Sequence, residues 1–134
     1  MINNNLSLHH KIRTSSLAEN APLLIMLHGY GSDENDLFSF ASELPSKYTI
    51  ISLKAPYPIQ PYGNAWYAIH FDNVDGKWSD DAQATASREK VIICIDEIVE
   101  KYQIDPNNIT LLGFSQGTIL SFSIALSYPG KIKN

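Results

Sequence analysis

Ile109-Thr110-Leu111-Leu112-Gly113-Phe114-Ser115-Gln116-Gly117 is the stretch from which the rest of the chain is read. A short apolar strand runs into Gly-x-Ser-x-Gly, and an apolar segment, residues 118–128, follows with room for three helical turns. This is the strand–turn–helix context of a nucleophile elbow. A serine on so sharp a turn adopts a strained backbone. The residues two before and two after it approach closely, so Gly113 and Gly117 carry no side chain. A helix starting at Gln116 directs backbone N–H groups and its positive dipole end toward charge forming at Ser115 Oγ. Three common residues at fixed spacing are a moderate signal, which the flanking strand and helix sharpen.

Working outward, the 134 residues suit one domain with one core. A hydrophobic content of 44% and a charged content of 18% are those of an ordinary soluble globular chain. The net charge of -4 leaves no basic excess to neutralise phosphates, which argues against nucleic acid as a partner. One cysteine, Cys94, makes neither an internal disulfide nor a metal cluster and fits a reducing compartment. Residues 1–5 have no basic region followed by an apolar run, as a signal peptide would, and the apolar run 23–27 is too short to cross a bilayer. The expectation is a cytoplasmic chain without stable membrane insertion.

Residues 6–12 alternate Leu6, Leu8, His10 and Ile12 with polar neighbours, a half-buried strand pattern in which His9 and His10 are surface or edge residues. Pro22-Leu23-Leu24-Ile25-Met26-Leu27 shows no alternation and predicts a central parallel strand covered on both faces. It empties into His28-Gly29-Tyr30-Gly31, after which Ser32, Asp33 and Asn35 offer caps for a helix through Leu37, Phe40, Ala41 and Leu44, stopped by Pro45. Residues 48–53 predict the next strand. From Ala55 to Asp81 the chain reads as one long irregular loop carrying Tyr57, Tyr62, Trp66, Tyr67, Phe71 and Trp78. A loop of that length is usually functional, and its aromatics form a small core of their own or a binding wall. The longest helix is expected over 82–102, capped by residues 79–81. Its stripe is Val91, Ile95, Ile98 and Tyr102, with Ile92 and Val99 beside it, a solvated charged face opposite and Cys94 in a structural place. Asp105-Pro106-Asn107-Asn108 reads as a turn before the elbow strand. The alternation of strands and helices predicts an α/β fold, a mostly parallel sheet with helices on both faces.

Two glycine loops thus leave adjacent strands at one sheet edge. Here the chain resembles the alpha/beta-hydrolase superfamily, and within it the phospholipase/carboxylesterase family that includes the acyl-protein thioesterases. The resemblance rests on Leu27-His28-Gly29-Tyr30-Gly31-Ser32-Asp33-Glu34-Asn35-Asp36-Leu37, Ala55-Pro56, Ala65-Trp66-Tyr67 and Gly113-Phe114-Ser115-Gln116-Gly117, in family order across most of the chain. It implies that Ser115 attacks an ester or thioester carbonyl and that the backbone N–H groups of Tyr30 and Gln116 form the oxyanion hole. His28, with Gly29 and Gly31, would shape the oxyanion loop rather than act as base, and Trp66 would line the substrate pocket. The implied substrate is a small-molecule acyl ester or thioester. No cofactor or metal is implied, and the oligomeric state is left open. Thr118 departs from the family, many of whose members have a second glycine there.

The larger departure follows the elbow. In this fold the acid and base come after the nucleophile, in the order Ser, Asp or Glu, His. Residues 116–134 contain no His, Asp or Glu, and His9, His10, His28 and His70 all precede Ser115. Lacking a base, Ser115 is an unactivated alcohol. His70 reads as a solvated loop histidine. The expectation is a single partial domain over 1–134, truncated after the elbow helix, with one apolar edge of the elbow strand unpaired. A non-catalytic acyl- or lipid-binding module that kept the pocket is the alternative from another class, and a small-peptide or lactone hydrolase is a third reading.

Overall fold

A computed structural model describes residues 6–72 and 76–134. Residues 1–5, read above for a leader, lie outside the described residues. The elements are β1 (His10–Arg13), β2 (Ala21–Leu27), a 3-10 helix (Leu37–Glu43), β3 (Thr49–Leu53), β4 (Tyr57–Pro58), β5 (Asn64–Ala65), β6 (Ile69–Asp72), β7 (Gly76–Ser79), α1 (Asp81–Lys101), β8 (Ile104–Gly113) and α2 (Gln116–Ser127). The main sheet has the order β1-β3-β2-β8. β2 runs parallel to both β3 and β8, and only β1 is antiparallel.

The unbroken apolar run of β2 has a direct cause: both faces of the strand are covered. Leu23, Ile25 and Leu27 pack with Ile51, Leu53, the α1 residues Val91, Ile95 and Ile98, and the α2 residues Leu120 and Ile124. Met26, on the other face, packs with Ile50 and with Leu37 and Ala41 of the 3-10 helix. The helical layers therefore lie on both faces of a mostly parallel sheet, as the order of elements predicts.

Several expectations are corrected in detail. The strand expected over 6–12 begins only at His10. The helix expected through Leu37 and Leu44 is a 3-10 helix, capped by Asp36 without a side-chain bond. Ser32 Oγ donates to the Asp36 carboxylate instead, at 3.0 Å. At the other end the Arg13 guanidinium donates to the carbonyls of Ala41, Leu44, Pro45 and Tyr48, tying β1 to the end of this helix and the turn after it. The long loop holds two small hairpins, β4–β5 and β6–β7. Its aromatics divide: Trp66 and Tyr67 join the main core, while Tyr62, Phe71 and Trp78 are exposed. α1 follows its predicted stripe. Its cap is Asp80, whose carboxylate accepts from Gln83 N–H, a bond that holds it below the usual carboxylate range. β8 begins before the expected turn at 105–108. The turn survives as a register jump, since Ala21 pairs with Ile104 but Leu23 with Ile109. The outer edge of β8 is partly bonded: Lys133 N–H donates to Ile109 O and Leu111 N–H to Asn134 O, each at 2.8 Å.

Candidate active site

β2 and β8 are parallel neighbours, so the loops that follow them leave the sheet at one edge. Phe114 N–H donates to Leu27 O at 3.1 Å, carrying the ladder one residue past the strand. Ser115 then turns the chain with φ 54° and ψ −116°, a left-handed conformation that an L-residue adopts only under constraint. α2 starts at the next residue. The constraint is visible at the glycines. A Cβ on Gly113 would lie 2.6 Å from Gly117 C, and one on Gly117 would lie 2.0 Å from Leu27 O and 2.7 Å from His28 O. Gly117 thus presses the first turn of α2 against the end of β2, an approach the motif alone does not disclose.

The second loop meets the first directly. A Cβ on Gly29 would come within 3.3 Å of Ser115 Cβ. Gly31 has φ 81°, and its N–H donates to Asn64 O at 2.9 Å, which fastens the loop to the β4–β5 hairpin. Ser115 and Tyr30 are solvent-exposed, whereas Gln116 and His28 are buried. Among the described residues, neither the Tyr30 nor the Gln116 backbone N–H donates to another protein group. One unbonded N–H thus follows Ser115 directly, and the other follows Gly29, which abuts Ser115.

His28 has both ring nitrogens engaged. Nε2 accepts from Ala55 N–H at 3.0 Å, so the proton is on Nδ1, which donates to Gly29 O at 2.8 Å. Burial lowers its pKa below the ordinary 6.5 by disfavouring the charged ring. His70 faces Asp80 at 3.3 Å and the Trp78 ring at 4.2 Å. Among the described residues no side chain hydrogen-bonds the Ser115 hydroxyl. Trp66, expected at the pocket wall, is 0% exposed, and its indole N–H donates to His28 O at 2.8 Å. It lies beneath the loops rather than on their surface. A cleft of about 570 Å³, lined by Ile95, Pro106, Ile109 and Tyr128 among others, opens near the start of β8 and does not reach Ser115.

Sequence reasoning missed two participants, Ser87 and Gln83, and the bond that Tyr67 makes. Ser87 Oγ donates to Trp66 O, Tyr67 O accepts from Gln116 Nε2 at 2.8 Å, and Gln83 Oε1 accepts from Ala68 N–H at 2.7 Å. Ser87 had a readable signal, a polar residue one turn before Val91 on the apolar stripe. Among the described residues no helix is long and apolar enough to cross a membrane.

The sheet order, the elbow and the facing glycine loop are those of the α/β-hydrolase fold. In three dimensions the chain is similar to a Bacillus cereus carboxylesterase, with TM-score 0.78 and 22% identity, covering 96% of this chain and 58% of that one. It is also similar to the protein Atu2452, of unknown function, from Agrobacterium tumefaciens str. C58, with TM-score 0.76 and 27% identity over 94% of this chain and 57% of that one. A model of the phospholipase/carboxylesterase family matches residues 9–134, and the chain belongs to that family. A bifunctional acetylxylan esterase/xylanase, XynS20E, from Neocallimastix patriciarum is 27% identical over 123 residues, which are 92% of this chain and 16% of that protein. The chain therefore spans less than two thirds of the length of these relatives.

Proposed function

We propose that this chain carries the nucleophile and the oxyanion hole of a cytoplasmic serine esterase or thioesterase. Ser115 Oγ attacks the carbonyl carbon of an acyl ester or thioester. The carbonyl oxygen, as it gains charge, is received by the N–H groups of Tyr30 and Gln116; the serine proton ends on the departing oxygen or sulfur, the alcohol or thiol leaves as the acyl-serine forms, and water then cleaves the acyl-serine to the acid. The observation that carries this reading is the strained, exposed Ser115 beside two unbonded backbone N–H groups. Preorganised donors cost no reorganisation when charge develops, and removing one typically slows such enzymes by about 10²–10³-fold.

The acid and base are not among residues 116–134, and His28 cannot accept the serine proton because both its nitrogens are taken. Without a general base, the 134-residue chain on its own is expected to react only with an activated ester, by slow acylation of Ser115 that the oxyanion hole assists. The test is hydrolysis of 4-nitrophenyl acetate by the chain and by Ser115→Ala. Loss of the rate above buffer in the variant supports Ser115 as nucleophile; an unchanged rate sinks the reading.

The unengaged hydroxyl also supports a second reading, a non-catalytic acyl-binding module. That reading predicts calorimetric binding of a fatty acyl chain by a monomeric chain with no turnover. Binding of an apolar dye without a fixed near-ultraviolet circular dichroism signal would count against it.

A further inference from the structure

The two loops at Ser115 touch at the surface, but a buried polar bridge joins them underneath, and neither glycine motif accounts for it. The Gln116 side chain occupies its centre: Oε1 accepts from Trp66 N–H and Nε2 donates to Tyr67 O, each at 2.8 Å. From the same segment the Trp66 indole N–H reaches His28 O, also at 2.8 Å, and the His28 ring lies 5.4 Å from the indole. Ser87 of α1 holds Trp66 O from the far side. Gln116, Trp66 and His28 are all buried, so these bonds have no water to replace them, and deleting one partner strands the other.

The ends of this bridge lie at or near the residues that carry the two free N–H groups. One end is the side chain of Gln116 itself, and the other is His28, two residues before Tyr30. We propose that the Gln116 side chain and Trp66 are positioning residues, which set the separation and direction of the Tyr30 and Gln116 N–H donors by locking both loops to the buried segment 66–67. The catalytic consequence rests on the serine-hydrolase reading above; the coupling between the loops does not. Glutamine suits the task because its amide offers an acceptor and a donor at once, matching one backbone N–H and one backbone C=O. Tryptophan suits it because one side chain fills core volume and still carries a donor to the loop opposite.

The test uses the 134-residue chain with Gln116→Ala, the volume-preserving Gln116→Met, and Trp66→Phe, which keeps an aromatic ring and removes only the indole donor. Amide ¹H–¹⁵N shifts and hydrogen exchange are read at Tyr30 and Gly31, which the Gln116 side chain does not touch. The expected result is a moved Tyr30 amide and faster exchange at Gly31 in every variant that folds, with the β2–β3 ladder as protected as in the parent. The double variant Gln116→Met/Trp66→Phe should change Tyr30 by less than the sum of the single effects, as members of one network do. In ester hydrolysis kcat should fall about 10–100-fold with KM within about twofold, because misplacement by an ångström acts on the transition state rather than on ground-state binding. Changes confined to Trp66 and Tyr67, with Tyr30 at its parent shift, would overturn the proposal. So would an unchanged kcat in variants whose activity still depends on Ser115. If Ser115→Ala leaves the parent rate intact, the hydrolase reading fails by itself, and the Tyr30 shift still decides whether the bridge couples the loops.

Discussion

β2 and β8 are neighbours in one sheet, and each ends in a glycine loop, yet the molecule encloses them very differently. Leu23, Ile25, Met26 and Leu27 of β2 are fully buried, whereas Leu112 of β8 is exposed. The helix after β8 divides the same way. Leu120 and Ile124 face the core, while Ile119, Phe122 and Leu126 are 61%, 66% and 80% exposed. Ser115 stands where the two regimes meet. Most of what constrains its backbone comes from the β2 side: Leu27 O and His28 O against Gly117, Gly29 against Ser115, and the Gln116–Trp66 bridge below, with Gly113 of β8 adding its own close approach to Gly117. On the outer side of β8, among the described residues, the backbone bonds are those with Lys133 and Asn134. The site is therefore held mainly from one side, and substitutions on the two sides should differ sharply in cost.

The largest effect is expected at Gly117. A methyl group there would lie 2.0 Å from a backbone oxygen, which no rotamer change relieves, so the start of α2 must move off β2. Gly117→Ala should cost about 4 kcal/mol or more, at the extreme of single-site effects, in urea unfolding followed by circular dichroism. A cost under about 1 kcal/mol would mean that the contact between α2 and β2 is not the constraint described. Next is Ile25→Ala, which empties a fully buried place between β3, β8 and α1 and should cost about 3 kcal/mol.

How far the sequence discloses all this depends on whether the cause is local. The apolar run 22–27, the α1 stripe and the elbow glycines are legible because period and steric demand are written within a few residues. The order of the sheet and the meeting of the two loops follow from them. The 3-10 geometry of Leu37–Glu43 was not legible. It depends on Asp36 being taken by Ser32 and on Arg13, twenty-three residues upstream of Asp36, binding the carbonyls at the far end. The burial of Trp66 was hidden for a similar reason. The aromatics of a glycine- and proline-rich loop read equally as a small core or a binding wall, and what holds the Trp66 backbone in the core is Gln116, fifty positions away. The free N–H groups of Tyr30 and Gln116 have no sequence signature beyond the motifs themselves.

Smaller effects sharpen the comparison. Ser115→Gly should stabilise the fold by about 1 kcal/mol, since glycine occupies φ 54° without the steric penalty serine bears there. A destabilisation would show that the hydroxyl or its Cβ contributes packing that outweighs the strain. The pH response also reports the closed side. Burial lowers the pKa of both His28 and His10 below 6.5, so below that pH the unfolded chain binds protons that the folded chain refuses. Stability should therefore fall as pH drops from 7 toward 5, and neither group contributes a slope above about pH 7. His10→Gln should remove its share of the decline in melting temperature and leave that of His28.

The smallest effect is expected on the open side, at Leu126. Its side chain is 80% exposed on α2, so Leu126→Ser removes little buried surface and should change stability by no more than about 0.5 kcal/mol. Beside the roughly 3 kcal/mol expected for Ile25→Ala, that difference is the asymmetry of the molecule in measurable form. The same substitution should improve solubility at high concentration, because Ile119, Phe122 and Leu126 together present an apolar helix face, and contiguous apolar surface drives association. The check is a pair of measurements on one variant, an unfolding curve and a light-scattering series against concentration. A cost above about 2 kcal/mol with no change in association would place Leu126 in a packed environment within the single chain, and the one-sided support of Ser115 would have to be abandoned.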